Sequence, residues 1–135
     1  MRTAAESILS LAIAALSEAG LPVQPADVAF SVDELPVVLA INPSQEPGES
    51  GTLDSDEWVC RLELHILSLN PAQIDALHLQ AHAALQDNAA LMEATSDDTA
   101  RSLGYGQGES VGADYTYQRR IAPYQFKTLV PTGQI

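Results

Sequence analysis

Basic residues are scarce in this chain: 6 Lys and Arg stand against 18 Asp and Glu, a formal net charge of −12. Contacts to nucleic-acid phosphates draw on Lys and Arg, so this balance opposes a free-standing DNA- or RNA-binding module. It permits another relation to DNA, in which an acidic wall repels the polyanion and lets it slide past. Cysteine is nearly missing too. With Cys60 alone, no intrachain disulfide forms and a two-cysteine metal site is excluded. The apolar run ILSLAIAAL, Ile8 to Leu16, is nine residues long, too short to span a bilayer. Glu6 lies where a signal peptide would be basic, so an ordinary amphipathic helix is expected there. What the chain does have is core: 46% hydrophobic residues over 135 positions are enough for one folded domain, residues 1–135.

The organising stretch is WVCRLELHILSL, Trp58 to Leu69. Trp58, Cys60, Leu62, Leu64 and Ile66 alternate with Val59, Arg61, Glu63, His65 and Leu67, the period of a strand with one buried face and one more polar face. Asn70 and Pro71 then supply an N-cap and a first-turn proline, with Gln73 placed to complete a capping-box-like start. The helix they open runs to about Asn88, with Ile74, Leu77, Ala81, Ala84 and Leu85 on its apolar stripe.

Elsewhere, Thr3 and Glu6 form a T-x-x-E capping box for a first helix, which Gly20 and Pro22 end. Short strands are expected over Asp27 to Val32 and Pro36 to Asn42. Residues Pro43 to Glu57 hold Pro, Gly, Ser and five carboxylates without a basic residue, the composition of a solvated acidic loop or arm. A strand is expected within Thr99 to Tyr105, a glycine-rich turn over Gly104 to Gly112, and a long β-ribbon over Ala113 to Val130. Pro123 should mark an edge or a bulge in that ribbon. Pro131 to Ile135 reads as a loose tail. The expected fold class is α/β in the α+β sense: one mixed, mostly antiparallel sheet with two helices packed on it.

Charge is unevenly placed. Up to Glu57 there are ten acidic residues against Arg2, whereas beyond Ala100 Arg101, Arg119, Arg120 and Lys127 meet only Glu109 and Asp114. Head-to-tail association of an acidic surface with a basic one follows, and it closes into a ring if the rotation permits. The interface candidates are Glu46, Glu49, Asp54, Asp56 and Glu57 on one side, with Arg119, Arg120, Tyr115 and Tyr117 on the other. The sequence calls for no cofactor, although crowded carboxylates leave room for weak Mg2+ binding at acidic subunit contacts.

Catalytic signatures are missing. There is no H-E-x-x-H, no G-x-S-x-G, no P-loop and no complete calcium loop. His78 and His82 are spaced i, i+4 with His65 on the adjoining strand, so a small metal-dependent enzyme using these three is one rival reading. Another is a monomeric adaptor that binds a peptide through the alanine-rich first helix or the strand near Pro123.

Taken together, the capped N-terminal helix, the strand WVCRLELHILSL, the helix NPAQIDALHLQAHAALQDN and the ribbon DYTYQRRIAPYQFKTLV resemble the tail terminator proteins of long-tailed bacteriophages, the minor tail protein U type. The resemblance covers nearly the full chain in length and element order. It implies a non-enzymatic virion protein, assembled in the host cytoplasm, that forms a homo-hexameric ring on the head-proximal end of the tail. Its implied partners are the tail tube protein and the head-tail connector or neck protein, with DNA passing through the ring and no membrane involved. A different neck or tail-completion subunit is the neighbouring alternative.

Overall fold

The computed structural model describes residues 3–24, 35–48, 55–95, 101–102, 106–107 and 118–131. Along the chain these form helix α1 (Ala4–Glu18), strands β1 (Val37–Pro47) and β2 (Ser55–Ser68), helices α2 (Pro71–Asp87) and α3 (Ala89–Ala94), and strands β3 (Arg101–Ser102), β4 (Gly106–Gln107) and β5 (Gln118–Pro131). The expected strand over Asp27 to Val32 lies outside the described residues.

Strand β2 is the centre of the sheet, hydrogen-bonded to β1 on one side and to β5 on the other, in the order β1-β2-β5-β3, with β4 also on β5. These pairings are antiparallel, and a parallel bridge from Val23 to Val38 adds the segment after α1 to the edge of β1. The fold is mixed α+β, a mostly antiparallel sheet with helices packed against it. The β2–β5 ladder runs without a slip from Ser55 opposite Pro131 to Ser68 opposite Gln118.

Alternation along β2 decides what is buried. Cys60, Leu62, Leu64 and Ile66 join Val38, Ala40, Ala122, Tyr124 and Phe126 on the helix-covered face, with Trp58 packed against them. Over them lie Ala5, Ile8, Ala12, Ala15 and Leu16 of α1 and Ile74, Leu77, Ala81 and Leu85 of α2. Each fully buried Leu or Ile contributes about 1.5–3 kcal/mol by leaving water, so this shared core is the main stabilising element. The opposite face is less polar than the alternation suggests. Val37, Leu39 and Leu67 form a second buried cluster there, because a β1 run that is apolar at every position puts side chains on both faces.

The helix ends follow their sequence signals. Thr3 Oγ1 accepts from the Glu6 N–H at 3.1 Å and Glu6 reaches back to the Thr3 N–H, a closed capping box. Gly20 ends α1 with φ +82°, and the Gly20 and Leu21 N–H groups donate to Ser17 and Leu16, which satisfies two terminal carbonyls. Asn70 caps α2 through the Ala72 N–H, but Gln73 does not complete a box. Its Oε1 instead accepts from Ser68 Oγ at 2.7 Å, while Ser68 Oγ accepts from the Asn70 N–H.

Three further expectations change. The stretch from Pro43 to Glu57 is not all loop, since β1 continues to Pro47 and β2 starts at Ser55. An extra residue in β1 between Ile41 and Ser44, with Asn42 at φ +57°, absorbs Pro43 as a bulge and lets pairing resume beyond it. Gly106 and Gln107, expected in a turn, form β4 against Ile121 and Arg120. Pro123 is neither on an edge strand nor at a slip in the β2 ladder. It lies between the stretches of β5 that β3 and β4 pair, so the missing N–H falls at the break between two short neighbours. Helix α2 ends at Asp87, as expected, where Asn88 turns extended and caps a third helix, α3, through the Leu91 N–H.

Candidate functional site

The hairpin of β1 and β2 carries the acidic candidates. Glu46 meets Arg61 across the strand pair at 2.6 Å, both side chains about half exposed, so this contact is screened and adds only about 0–1 kcal/mol. Asp56 is exposed, whereas Glu57 is buried with its side chain folded over Gly48, where a Cβ would collide with it. The Gly48 N–H donates to the Glu57 carbonyl at 2.8 Å and continues the pairing past Pro47. Glu49 and Asp54 lie outside the described residues, as do Tyr115 and Tyr117.

The three histidines do not converge. His65 is on the face of the sheet away from the helices, where its Nε2–H donates to Glu63 Oε1 at 2.9 Å. That bond and a second from Asn42 Nδ2 hold the Glu63 carboxyl below its usual range, despite a small opposing effect of burial. His78 and His82 lie on α2 over the other face and take partners from β5. The buried Tyr124 hydroxyl sits 2.9 Å from His82 Nδ1, and burial pushes the phenol up to about 12, so it stays protonated and donates. No group of three or more His, Cys, Asp or Glu gathers around a common point among the described residues. The constellation that a three-histidine enzyme needs is therefore split by the sheet. Cys60 is buried, and desolvation raises its thiol to about 11, far from a working nucleophile.

Arg120 and Arg119 part company as alternation along β5 requires. Arg120 turns toward α2, where Nη2 meets Asp75 Oδ1 at 2.6 Å and Nη1 donates to His78 Nδ1 at 3.4 Å. Only 10% of the Arg120 side chain is exposed, against 69% for Asp75. Burial, then the Arg120 charge, then His82 lower the His78 pKa, with Asp75 pulling weakly the other way. This Asp75–Arg120–His78 seam fastens α2 to β5. Sequence reading missed it, because Asp75 and Arg120 are far apart in the chain and no local motif joins them. Arg119 lies on the opposite face, partly exposed, and its Nε is a buried donor without an acceptor among the described residues.

No protein-family model matches the chain, and no curated protein matches it in sequence. Among solved structures, a chain from the virion of a native gene transfer agent particle superposes on it with a TM-score of 0.66. The two chains share one fold. The superposition takes in 93% of this chain and 94% of that one, at 11% sequence identity. It is thus a likeness of architecture from end to end, with little of either molecule outside the common frame.

Proposed function

We propose that the protein is a structural subunit of a phage or phage-like virion, a tail terminator that caps the tail tube as a ring. The observation that carries this reading is the two-way match to a virion chain, 93% and 94% covered, on a fold that the sequence had suggested by its resemblance to tail terminators. The geometry fits a protein that acts by docking. Its histidines are engaged singly and its one thiol is buried, so the described polar groups hold the fold together and do not converge on a substrate.

In this reading a homo-hexamer ends tube polymerisation and presents a surface to the head-tail connector or neck protein. The hairpin carboxylates Glu46, Glu49, Asp54 and Asp56, with Arg119, are the candidate subunit contacts, while Glu57 is buried over Gly48. Arg120 drops to a supporting role, since its own helix occupies it. Weak Mg2+ at acidic contacts would relieve repulsion between copies of charge −12, and the same charge would keep DNA from adhering as it passes.

The test adds the purified protein to polymerising tail tube protein and measures tube lengths by electron microscopy, with its own mass followed by light scattering with and without Mg2+. Shortened tubes bearing a cap of about six copies support the terminator. A protein that binds tube ends while growth continues is a neck or completion subunit instead, and one that ignores tubes sinks the proposal.

A further inference from the structure

Helix α2 is apolar on two sides. Ile74, Leu77, Ala81 and Leu85 are buried against the sheet, while Ala72, Ala76, Leu79 and Ala83 form a second row facing outward. Their spacing of four, three and four residues is that of a helix seam built to meet another surface. Leu79 is 73% exposed and Leu69, just before the helix, 51%. A surface helix ordinarily turns polar residues to water, and one with two apolar faces belongs between two layers. The charges around this row share one sign: Asp75, which already pairs with Arg120 of its own chain, Asp87 and Glu93 occur along α2 and α3, without one Lys or Arg.

The opposite character appears on β5. On the sheet face turned away from all three helices, its row reads Arg119, Ile121, Pro123, Gln125, Lys127 and Leu129, two cations with Ile121, Pro123 and Gln125 between them and no carboxylate in the row itself, Glu63 of β2 lying beside Pro123. Residues 119 to 127 of this row are partly exposed and Leu129 is 45% exposed. Arg119 Nε is a buried donor that finds no acceptor among the described residues.

We infer that α2 of one copy docks its outer row, Ala72 to Ala83, on the β5 row of a second copy. The claim rests on the reading that copies of this chain assemble, and it names the surfaces that meet. The halves are complementary: Ala76 and Leu79 on the helix can meet Ile121 and Pro123 on the strand, with carboxylates on the helix and cations on the strand, so the occupant is this chain itself. From Arg119 to Lys127 the strand spans about 27 Å at ~3.4 Å per residue, and from Asp75 to Asp87 the helix spans about 18 Å at ~1.5 Å per residue. The long Arg and Lys side chains bend inward over the difference. The contact assigns Arg119 a partner on α2 of the next copy rather than on the hairpin. It joins unlike patches, so it repeats head to tail, laying each helix layer on the next sheet, and closes into a ring where the rotation allows.

The experiment measures the mass of the full chain by sedimentation velocity across its soluble concentration range, for wild type, Leu79→Glu, Lys127→Glu, Asp87→Lys and the Lys127→Glu/Asp87→Lys pair. All altered side chains are wholly or partly exposed, and circular dichroism checks that each variant is folded. The expected result is loss of the assembly in Leu79→Glu, a roughly tenfold weakening in each single charge reversal and recovery in the pair. Assembly in Leu79→Glu equal to wild type, or a pair no better than the single reversals, overturns the assigned surfaces while the virion reading stands. A wild type that stays monomeric yet ends tubes overturns self-docking alone. One that stays monomeric and ignores tubes overturns both.

Discussion

Removing Arg120 or Asp75 should have unlike consequences, because the two ends of their ion pair sit in different media. The guanidinium is 10% exposed and the carboxylate 69%. Breaking a fully buried pair by deleting one partner costs about 3–5 kcal/mol, whereas an exposed pair is worth about 0–1 kcal/mol. Asp75→Ala strands a buried cation, but water can reach the place the carboxylate leaves, so the expected loss is about 1–2 kcal/mol. For a domain of this length that lowers Tm by roughly 3–8 °C, readable by calorimetry. Arg120→Met deletes the buried charge and keeps an apolar stem, and should stay within about 1 kcal/mol of wild type. The two variants should also move His78 in opposite directions, as followed by its imidazole NMR shifts. Losing Arg120 raises the His78 pKa toward its ordinary value, while losing Asp75 lowers it further. Because the fold lowers the His78 pKa, the unfolded chain binds more protons than the folded one once pH drops to about 6.5. Stability therefore falls with pH through the lowered folded pKa, and less steeply in Arg120→Met. A His78 titration identical in wild type and Arg120→Met, or a Tm unchanged in Asp75→Ala, would refute the reasoning.

Other perturbations follow from the same structure. Leu64→Ala, at a side chain with no exposed area in the middle of β2, should cost about 3–4 kcal/mol and lower the denaturant midpoint accordingly. Thr3→Ala opens the α1 capping box and should cost about 1 kcal/mol in the same assay. Cys60, with its thiol raised to about 11, should react with a thiol reagent at pH 8 only as fast as the protein opens, and rapid labelling of the native state would contradict its burial. Glu63 is ionised more readily in the fold than in the unfolded chain, so its contribution is present above the ordinary carboxylate range and lost as pH falls through its lowered pKa. Glu63→Gln should flatten that acid limb, and an unchanged limb would assign the acid sensitivity elsewhere.

What could be read in advance was whatever depends on neighbours in sequence. The alternation of Trp58 to Leu67 and the Thr3–Glu6 box act over a few residues, and both appear in the structure. The Asn42 bulge was hidden, because Pro43 argues for a break unless the preceding residue adopts a positive φ. Pro123 misled for a related reason: whether a missing N–H matters depends on which strand lies beside it, and that is a tertiary fact. The candidate site was less legible still. Arg120 and Arg119 are adjacent in sequence and sit on opposite faces of the sheet, so one seals α2 and the other does not touch it. A charge count treats them alike.

The position of β5 inside the sheet also bears on how the chain is made. Its partners on β2 lie at least about 50 residues upstream, and closing such separations is slow compared with forming α1 or the β1–β2 hairpin. A ribosome therefore releases α1, β1, β2 and α2 before the strand that completes their sheet, and until then the inner edge of β2 is an open template for other chains. Abundant synthesis would expose many such edges at once. The carboxylates concentrated in the first half of the sequence carry mutual repulsion through that interval and so protect the unfinished chain from its own kind.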